Sequence, residues 1–361
     1  MPNPKRRHSK ARTSKRRTHD ALKPASLGLC PHCHEAKAAH QICTHCGYYR
    51  GRQVRAIKEA QCRMRVVVDA MGGDCGPAVV VDGAVAAARR ADVGVTLVGA
   101  SGDLLAELAR HPEASGLDIL VEHAADAVGM GERPAEALRR KPQSSIRVAA
   151  DLVARGAADA LFSAGNTGAT VLAAYTAFGV LRSADRPALA AAVPTMRGKA
   201  VLLDIGANAD CRPQHLVAFA AMGAVFARAA LGIPDPIVGV LSIGEESTKG
   251  NELTREAHRL LRDTRLRFAG NVEARDLYSG AADVVVCDGF TGNVVIKVSE
   301  GVVGMVESML AEEFTAMGEA RAREAREAFG HFRARVDYSE YGGAPLLGVG
   351  RPVVVGHGRS S

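Results

Sequence analysis

The chain has 361 residues, of which 47% are hydrophobic and 24% are charged. This composition is typical of a globular protein and excludes a wholly disordered or fibrous chain. Aromatic residues make up only 4% and tryptophan is absent, which argues against aromatic stacking on nucleic acid as the main function. No apolar run approaches the ~18 residues of a membrane-spanning helix, and the charged N-terminus lacks the apolar stretch of a secretory signal. We therefore expect a soluble, cytoplasmic protein.

The charge is unevenly distributed along the chain. Residues 1–63 carry 15 Lys and Arg but 3 Asp and Glu, a net charge of +12. Subtraction from the totals of 46 basic and 39 acidic residues leaves 31 and 36 over residues 64–361, a net charge of −5. Such a step in charge suggests that a nucleic-acid-binding segment is joined to a second, different protein.

The basic segment opens with the run KRRHSKARTSKRR at positions 5–17. Repulsion between like charges, with no apolar side chains to bury, prevents this run from folding alone. It is either a solvated tail or an arm that becomes ordered against phosphates and releases counterions. Its candidate RNA-binding residues are Lys5, Arg6, Arg7, Lys10, Arg12, Lys15, Arg16 and Arg17.

Two CxxC pairs follow, separated by nine residues. Four thiolates in this spacing can form the tetrahedral shell of a structural zinc ion, whose binding would supply the folding energy of so small a segment. We favour zinc over a haem attachment site or a redox CxxC motif, because no export signal or βαβ pattern accompanies the pairs. We also favour it over disulfides, which are disfavoured in a reducing cytosol. The predicted ligands are Cys30, Cys33, Cys43 and Cys46.

Together with Pro4–Arg7, the stretch from Lys15 to Asp20 and the run Cys46–Arg52, the two CxxC pairs resemble bacterial large-subunit ribosomal protein L-thirty-two. The resemblance covers residues 1–57. It implies an extended basic arm that binds ribosomal RNA and is anchored by a zinc knuckle. Residues 58–63 are then a linker, and a second domain spans residues 64–361.

The second domain alternates strand and helix patterns, beginning with the β-branched run 65–69 and an Ala-rich helix over 78–90. Such alternation predicts an α/β fold, a mostly parallel sheet with helices on both faces. Helices are also predicted up to about residue 178, over 213–231, from Glu252, and over an amphipathic stretch from 300 to 330. The predicted strands are 65–69, 93–98, 118–122, 159–163, 200–204, 237–242, 284–288 and 352–356.

Four of these strands end in Asp69, Ser163, Asp204 and Asp288, each followed by glycines. Ligands bind at the carboxyl ends of strands in open α/β sheets, so we expect the four turns to gather at one edge. Glycine permits close backbone approach, and helix N-termini offer free N–H groups to anions. One such turn more often reflects helix capping and positive φ, but four together favour a phosphate-type anion pocket.

Several other chemistries are disfavoured. The sequence has no GxxxxGK[ST] P-loop and no GxGxxG after the first strand. It also lacks a GxSxG elbow and an HExxH motif. The cysteines Cys62, Cys75, Cys211 and Cys287 are scattered single residues, more typical of buried thiols than of nucleophiles.

The motifs VDAMGGD from Val68, SAGNTGA from Ser163, LDIGAN from Leu203 and DGFTGN from Asp288 occur in this order, with IGEE from Ile243, GNVE from Gly270 and YGGAPLLG from Tyr341. Together they resemble the phosphate acyltransferase family, PlsX. The resemblance implies a fold related to phosphotransacetylases and isopropylmalate-type dehydrogenases, and a homodimer. It implies transfer of a fatty acyl group from acyl carrier protein to inorganic phosphate, giving acyl phosphate for phospholipid synthesis. Because relatives usually continue into another helix, we expect a truncated C-terminus.

This reaction needs no cofactor and no covalent nucleophile, because phosphate is itself an anionic nucleophile and a thiolate leaves readily. The protein must supply position and charge stabilisation. Lys249 and Lys297 are candidate cations, although both could equally be solvated surface lysines. Asn208 and Asn293 complete the predicted catalytic set. The predicted phosphate-binding residues are Asp69, Gly72, Gly73, Asp74, Gly165, Asn166, Thr167, Gly168, Asp204, Gly206, Asp288, Gly289 and Gly292.

A basic helix face could dock the acidic carrier protein, although such a face is more often only solvated. The stretch from 300 to 330 favours core or dimer packing, with peripheral membrane association as an alternative. Two other functions stay open: a ribosomal structural protein with a passenger enzyme, and a phosphate acetyl- or butyryltransferase that uses coenzyme A. The residues of the basic face are Arg255, His258, Arg259 and Arg262.

Overall fold

The computed structural model divides into two compact units, Met1–Arg63 and Met64–Ser361. In the smaller unit it describes residues 27–31, 36–38, 41–43, 48–49 and 51–54. In the larger it describes residues 64–91, 93–316, 323, 325–327, 329–330 and 342–356. The smaller unit contains two short antiparallel pairs: β1 (Leu27–Leu29) with β2 (Ala36–Ala38), and β3 (Tyr48–Tyr49) with β4 (Arg52–Gln53). The basic run 5–17 and the linker lie outside the described residues.

The larger unit is built on an eleven-stranded sheet. Its strands are β5 (Arg65–Asp69), β6 (Gly94–Gly99), β7 (Ile119–His123), β8 (Ala160–Ser163), β9 (Ala188–Thr195), β10 (Gly198–Leu203), β11 (Ile237–Leu241), β12 (Arg267–Val272), β13 (Val284–Val286), β14 (Ala344–Leu347) and β15 (Val353–Val355). Its helices are α1 (Pro77–Arg90), α2 (Ser101–Leu108), α3 (Pro134–Arg140), α4 (Ser145–Ala154), α5 (Thr167–Phe178), α6 (Pro213–Leu231), α7 (Glu252–Arg262), α8 (Ala274–Leu277) and α9 (Gly289–Ala316).

The strand order is β12-β11-β13-β10-β9-β14-β15-β8-β5-β6-β7. The first four strands are mutually parallel, and so are the last five. Three successive antiparallel pairings, β10 with β9, β9 with β14 and β14 with β15, separate the two sets. The two parallel sets therefore run in opposite directions. The predicted α/β fold with a mostly parallel sheet is confirmed, whereas β9, β12 and β14 were not predicted.

Alternate residues of each strand face different helices, as the two-residue period of a β-strand requires. Val68 packs in one cluster with Val81 and Val85 of α1, while its neighbour Val67 packs in another with residues of α4 and α5. In the other set, Val201 packs with α6 and α7, and the next residues along β10 pack with α8 and the start of α9. Helices thus cover both faces of each parallel set.

Helix α6 lies in the core of the second set. Among the described residues it is the one helix long and apolar enough to cross a membrane by length and composition. The expectation that no apolar run approaches this length is therefore corrected. Leu216, Phe219, Ala220, Ala224 and Ala227 are fully buried in the cluster that also holds Val201 and Val284. A core helix of a folded domain passes the same test, so its apolar character is explained by this packing.

Candidate functional site

The two sets of strands end at nearly the same level of the sheet. One row of paired residues leads from Asp69 across β8 and β15 to Ala344 on β14. A second row leads from Ile205, just after β10, across β9 to Leu346, two residues further along β14. At ~3.3 Å per residue the rows are about 7 Å apart along the strands. Because the sets run in opposite directions, their carboxyl ends face each other at nearly the same level, on either side of the central strands.

Three strands, β15, β14 and β9, lie between the ends of β8 and β10. With ~4.8 Å between neighbouring strands, these ends are about 19 Å apart along the sheet. A phosphate ion is much smaller than this, so both strand ends cannot contact one ion directly. The expectation of one edge with four turns around one anion is therefore corrected: the turns form two clusters, one at β5 and β8 and one at β10 and β13.

The cluster at β10 is organised by Asp204, which is fully buried. Its Oδ1 accepts hydrogen bonds from the backbone N–H groups of Leu189, Gly206 and Ala207 at 3.0, 3.1 and 3.0 Å. Its Oδ2 accepts from the backbone N–H and the side-chain Nδ2 of Asn208 at 2.7 and 2.9 Å. Burial raises the pKa of Asp204, against the opposing effect of these hydrogen bonds. By accepting these hydrogen bonds, the side chain of Asp204 fixes the conformation of the turn that follows β10.

Two neighbouring polar residues also bond within the protein. Asn208 donates its second amide hydrogen to the carbonyl oxygen of Pro187 at 2.8 Å, which leaves only its amide oxygen for a ligand. Asp288 caps α9, because its Oδ1 and Oδ2 accept from the N–H and hydroxyl of Thr291, both at 2.8 Å. Both residues lie beside the β10 turn, and their side chains position the neighbouring backbone.

The glycines at the start of α9 allow the helix to touch this turn. A Cβ on Gly289 would lie 2.7 Å from the carbonyl oxygen of Asn208, and a Cβ on Gly292 would overlap the carbonyl oxygen of Asp204. Only glycine permits so close an approach of two backbones. The DGFTGN motif therefore joins α9 to the β10 turn.

Three predicted catalytic residues lie at the same edge as the β10 turn. A Cβ on Gly206 would be 3.2 Å from Nδ2 of Asn293, which is exposed. Lys297, one helical turn further along α9, is 65% exposed, and its Nζ is 4.0 Å from Oε2 of Glu300. Lys249 is exposed in the loop after β11, which is separated from β10 only by β13. Both lysines therefore lie at the carboxyl edge of the parallel set β12-β11-β13-β10.

The cluster at β5 and β8 contains a second buried carboxyl group. Oδ2 of Asp69 accepts a hydrogen bond from the Ser163 hydroxyl at 2.9 Å, whereas Oδ1 is buried and has no partner among the described residues. Burial raises the pKa of Asp69, with the Ser145 and Ser163 hydroxyls acting in the opposite direction. A Cβ on Gly72 would lie 2.7 Å from the backbone nitrogen of Gly165. The two glycine turns therefore pack backbone against backbone.

The remaining predicted residues of this cluster form the start of α5. Asn166 caps the helix by accepting from the N–H of Ala169 at 3.1 Å. Its Nδ2 lies within 3.0 to 3.3 Å of three carbonyl oxygens of the loop 129–132. Thr167 and Gly168 form the first residues of the helix. Asn166 therefore ties a loop to the helix, and its side chain has little capacity left for an anion.

A polar cavity of about 440 Å³ lies next to the β10 turn, at the N-terminus of α6. Its wall includes Asn208, Asp210 and two arginines, Arg186 and Arg212. No motif singled out the arginines or their neighbour His215 in the sequence. The one available signal was Pro213 in the first turn of α6, a position that proline favours and that places residues 208–212 at a helix N-terminus.

His215 connects the two sides of this cavity. It is 3% exposed, its Nδ1 accepts from the backbone N–H of Arg212 at 3.0 Å, and its Nε2 is 3.1 Å from Oδ2 of Asp185. Burial lowers the pKa of His215, and the charge of Arg186 lowers it further. The ring is therefore neutral at pH 7, with its proton on Nε2 donated to Asp185.

An apolar groove of about 400 Å³ runs between α1 and the sheet, on the side of the β5 and β8 turns. Gly72 and Gly73, the latter with φ of 101°, lie in its wall, and the exposed Asp74 follows them. Apolar side chains of β5, β6, β8 and α1 line it: Val66, Val68, Val95, Phe162, Val80 and Ala87.

The basic face of α7 is smaller than predicted. His258 is buried, with Nδ1 3.0 Å from Oδ1 of Asn271, so it belongs to the core and its place on the surface face is corrected. Arg259 is bound by both oxygens of Glu256, at 3.0 and 2.7 Å. The exposed arginines on this helix are Arg255, Arg259 and Arg262.

In the smaller unit, Cys30 and Cys43 are buried, each 1% exposed. Cys33 and Cys46 lie outside the described residues, as do the predicted RNA-binding residues. Within the part of the chain that the structure covers, no group of three or more His, Cys, Asp or Glu side chains could hold a metal. Burial of a cysteine in so small a unit is consistent with a ligand role, which stays a prediction.

Comparison with known proteins gives two family matches. Residues 64–361 match the model of the family described as "Fatty acid synthesis protein", and residues 2–57 match the Ribosomal L32p protein family. The phosphate acyltransferase of Geobacter sulfurreducens is 51% identical over 300 residues, 82% of this chain and 86% of that protein. The phosphate acyltransferase of Pelobacter propionicus is 50% identical with the same coverage.

Solved structures of phosphotransacetylases share the fold. The Streptococcus pyogenes enzyme matches with a TM-score of 0.52 and 20% identity, over 67% of this chain and 82% of that one. The EutD phosphotransacetylase of Staphylococcus aureus matches with a TM-score of 0.51 and 16% identity, over 83% of this chain and 90% of that one. With the fold, the family match and half-identical relatives in agreement, the chain belongs to the phosphate acyltransferase family and is an acyltransferase that carries a Ribosomal L32p segment.

Proposed function

We propose that residues 64–361 transfer a fatty acyl group from acyl carrier protein to inorganic phosphate, and that the acyl phosphate feeds phospholipid synthesis. The supporting observation is the placement of two unlike cavities beside strand ends that lie at nearly the same level of the sheet. The groove beside Gly72 is lined by apolar side chains and suits an acyl chain. The cavity beside Asn208 is polar and suits an anion.

The chemistry requires little beyond placement of the two substrates. A phosphate oxygen forms a bond to the thioester carbonyl carbon, the carbon–sulfur bond breaks, and the proton of hydrogen phosphate leaves on the carrier thiol. Oriented binding and donors for the developing oxyanion are the main contributions a protein can make to such a step. We assign the oxyanion contact to the edge that holds Asn293 and Lys297, with Lys249 as a second cation.

The smaller unit, Met1–Arg63, has a separate proposed role. We propose that its basic arm binds ribosomal RNA and that Cys30, Cys33, Cys43 and Cys46 hold a structural zinc ion. Both proposals rest on the match to the ribosomal family and on the +12 charge of residues 1–63. The protein would act in the cytoplasm, where both substrates and ribosomes occur.

We further propose that the larger unit forms a homodimer through α9, with membrane contact as the alternative use of the same surface. Large apolar side chains recur on α9 every three or four residues, the spacing of one helix face, and an exposed apolar patch of this kind marks an interaction surface. The exposed apolar residues are Phe290, Val294, Val298, Val302, Met305 and Met309.

Purified full-length chain tests the activity directly. Incubated with palmitoyl-[acyl carrier protein] and phosphate, it should release free carrier thiol and acyl phosphate in equal amounts. Palmitoyl-coenzyme A or acetyl-coenzyme A in place of the carrier should be poor donors; efficient use of acetyl-coenzyme A would instead favour the acetyltransferase alternative. Lys297→Ala should lower turnover without a change in thermal stability, since Lys297 is 65% exposed.

Co-sedimentation with large ribosomal subunits tests the proposed binding of the smaller unit to ribosomal RNA. If the full chain sediments with the subunits and still forms acyl phosphate, both halves function in one molecule. If it sediments but forms no acyl phosphate, it is a ribosomal protein with an inactive enzyme half.

A further inference from the structure

The cavity at the N-terminus of α6 is lined by two cationic side chains. Arg186 comes from the loop before β9, and Arg212 is the residue that precedes α6. Neither guanidinium has a hydrogen bond or ion pair to any other residue that the structure describes. Guanidinium groups bind phosphate oxygens through paired hydrogen bonds, and two of them on one concave wall form an anion site.

His215 connects the two chain segments that carry the arginines. Its Nδ1 bonds the backbone of Arg212, and its Nε2 bonds Asp185, the neighbour of Arg186 in the chain. The neutral ring thus fixes the separation of the two cationic residues without adding a charge. The N-terminal end of the 19-residue α6 points at the same space, and its dipole also favours an anion there.

The carboxylate of Asp210 narrows the choice of anion. It is exposed and lines the same cavity as the arginines. A carboxylate repels an anion that can only accept hydrogen bonds, but it accepts a hydrogen bond from an anion that carries a proton. Hydrogen phosphate carries such a P–OH group at neutral pH, whereas sulfate does not. A wall with two cationic donors and one acceptor therefore matches phosphate better than sulfate.

We propose that Arg186 and Arg212 bind the inorganic phosphate that accepts the acyl group, that Asp210 accepts its P–OH hydrogen bond, and that His215 positions the two arginines. This inference rests on the proposed acyl transfer and names where its phosphate binds. The site borders the Asp204 turn and α9, so the bound phosphate lies at the edge that also holds Asn293 and Lys297.

The test compares Arg186→Gln and Arg212→Gln with Arg197→Gln, a control at the opposite end of β10. In each of the first two variants the KM for phosphate should rise at least tenfold, while the KM for acyl carrier protein stays within twofold. Arg186→Lys and Arg212→Lys keep the charge and should show intermediate values. Arg197→Gln should match the wild type. An unchanged KM for phosphate in both glutamine variants overturns the proposal.

A binding measurement separates this inference from the proposed reaction. Phosphate should raise the melting temperature of the wild type and of Arg197→Gln, but not of the Arg186 and Arg212 variants. Asp210→Asn should bind sulfate more tightly relative to phosphate, and the reverse result removes Asp210 from the site. If the wild type forms no acyl phosphate but still shows the arginine-dependent shift, the reaction is wrong and the anion site stands. If acyl phosphate forms without that shift, the anion site is wrong.

Discussion

Replacing Asp204 with asparagine should destabilise the larger unit by about 3 kcal/mol. Asparagine keeps one acceptor oxygen, which can still serve the three N–H groups bound by Oδ1. The other oxygen becomes an NH₂ group that faces two donors of Asn208, originally at 2.7 and 2.9 Å. Two hydrogen bonds to a charged acceptor, each worth about 1.5–3 kcal/mol, are lost. Removing a buried charge offsets part of this loss, since burial raises the pKa of Asp204, so we expect the lower end of the 3–6 kcal/mol range.

Urea unfolding of the full chain, followed by circular dichroism of the helices, measures this loss. Asp288→Asn is the matched control, because Asp288 caps α9 and asparagine is an equally good cap. This substitution should lower the free energy of unfolding by less than about 1 kcal/mol. A loss below about 1 kcal/mol for Asp204→Asn, or equal losses for the two variants, would show that the hydrogen bonds of Asp204 do not hold the turn.

Three further predictions concern the cavities and the surface. Because burial lowers the pKa of His215, the unfolded chain binds more protons below about pH 6.5, and stability should fall with pH there by at most about 1.4 kcal/mol per unit. His215→Asn, which keeps an acceptor for the Arg212 N–H, should flatten this dependence in urea titrations from pH 5 to 7.5; an equal slope in both proteins would contradict it. Ala87→Leu narrows the apolar groove and should shift the preferred acyl chain to shorter lengths in competition assays. An unchanged preference together with a higher melting temperature would mean that protein side chains, and not an acyl chain, fill the groove. Reversing Arg259 and Arg262 to glutamate should raise the KM for acyl carrier protein and leave the KM for phosphate unchanged, and equal KM values would reject α7 as the docking face.

Local patterns in the sequence predict every parallel strand except β12, because strands such as β5 and β10 are β-branched or apolar runs followed by turn residues. The existence and direction of β9 could not be predicted from local patterns. Its Ala-rich sequence has weak strand preference, and its pairing with β10 and β14 depends on residues distant in the chain. The opposite directions of the two strand sets, and hence the division of the turns into two clusters, follow from those pairings and are invisible to local patterns.

The predicted site residues illustrate the same limit. Asn166 and Asp288 fit an anion site and a helix cap equally well in sequence, and the structure shows both as caps. Arg186 and Arg212 carry no motif, since an isolated arginine is typical of any surface. The proposal that they bind an anion depends on the cavity that they share and on the contacts of His215. Both arise only when α6 packs against the loop before β9.

The position of β14 and β15 in the sheet bears on how the newly synthesised chain matures. These two strands join β8 to β9, yet they are translated after every other described strand. Until they emerge from the ribosome, β8 and β9 each present an unpaired edge, which is a template for aggregation. Insertion of two strands between partners so distant in sequence is a slow folding step. The two parallel sets should therefore join into one sheet only after synthesis of residues 344–355, and nascent chains stalled earlier should be protease-sensitive and inactive.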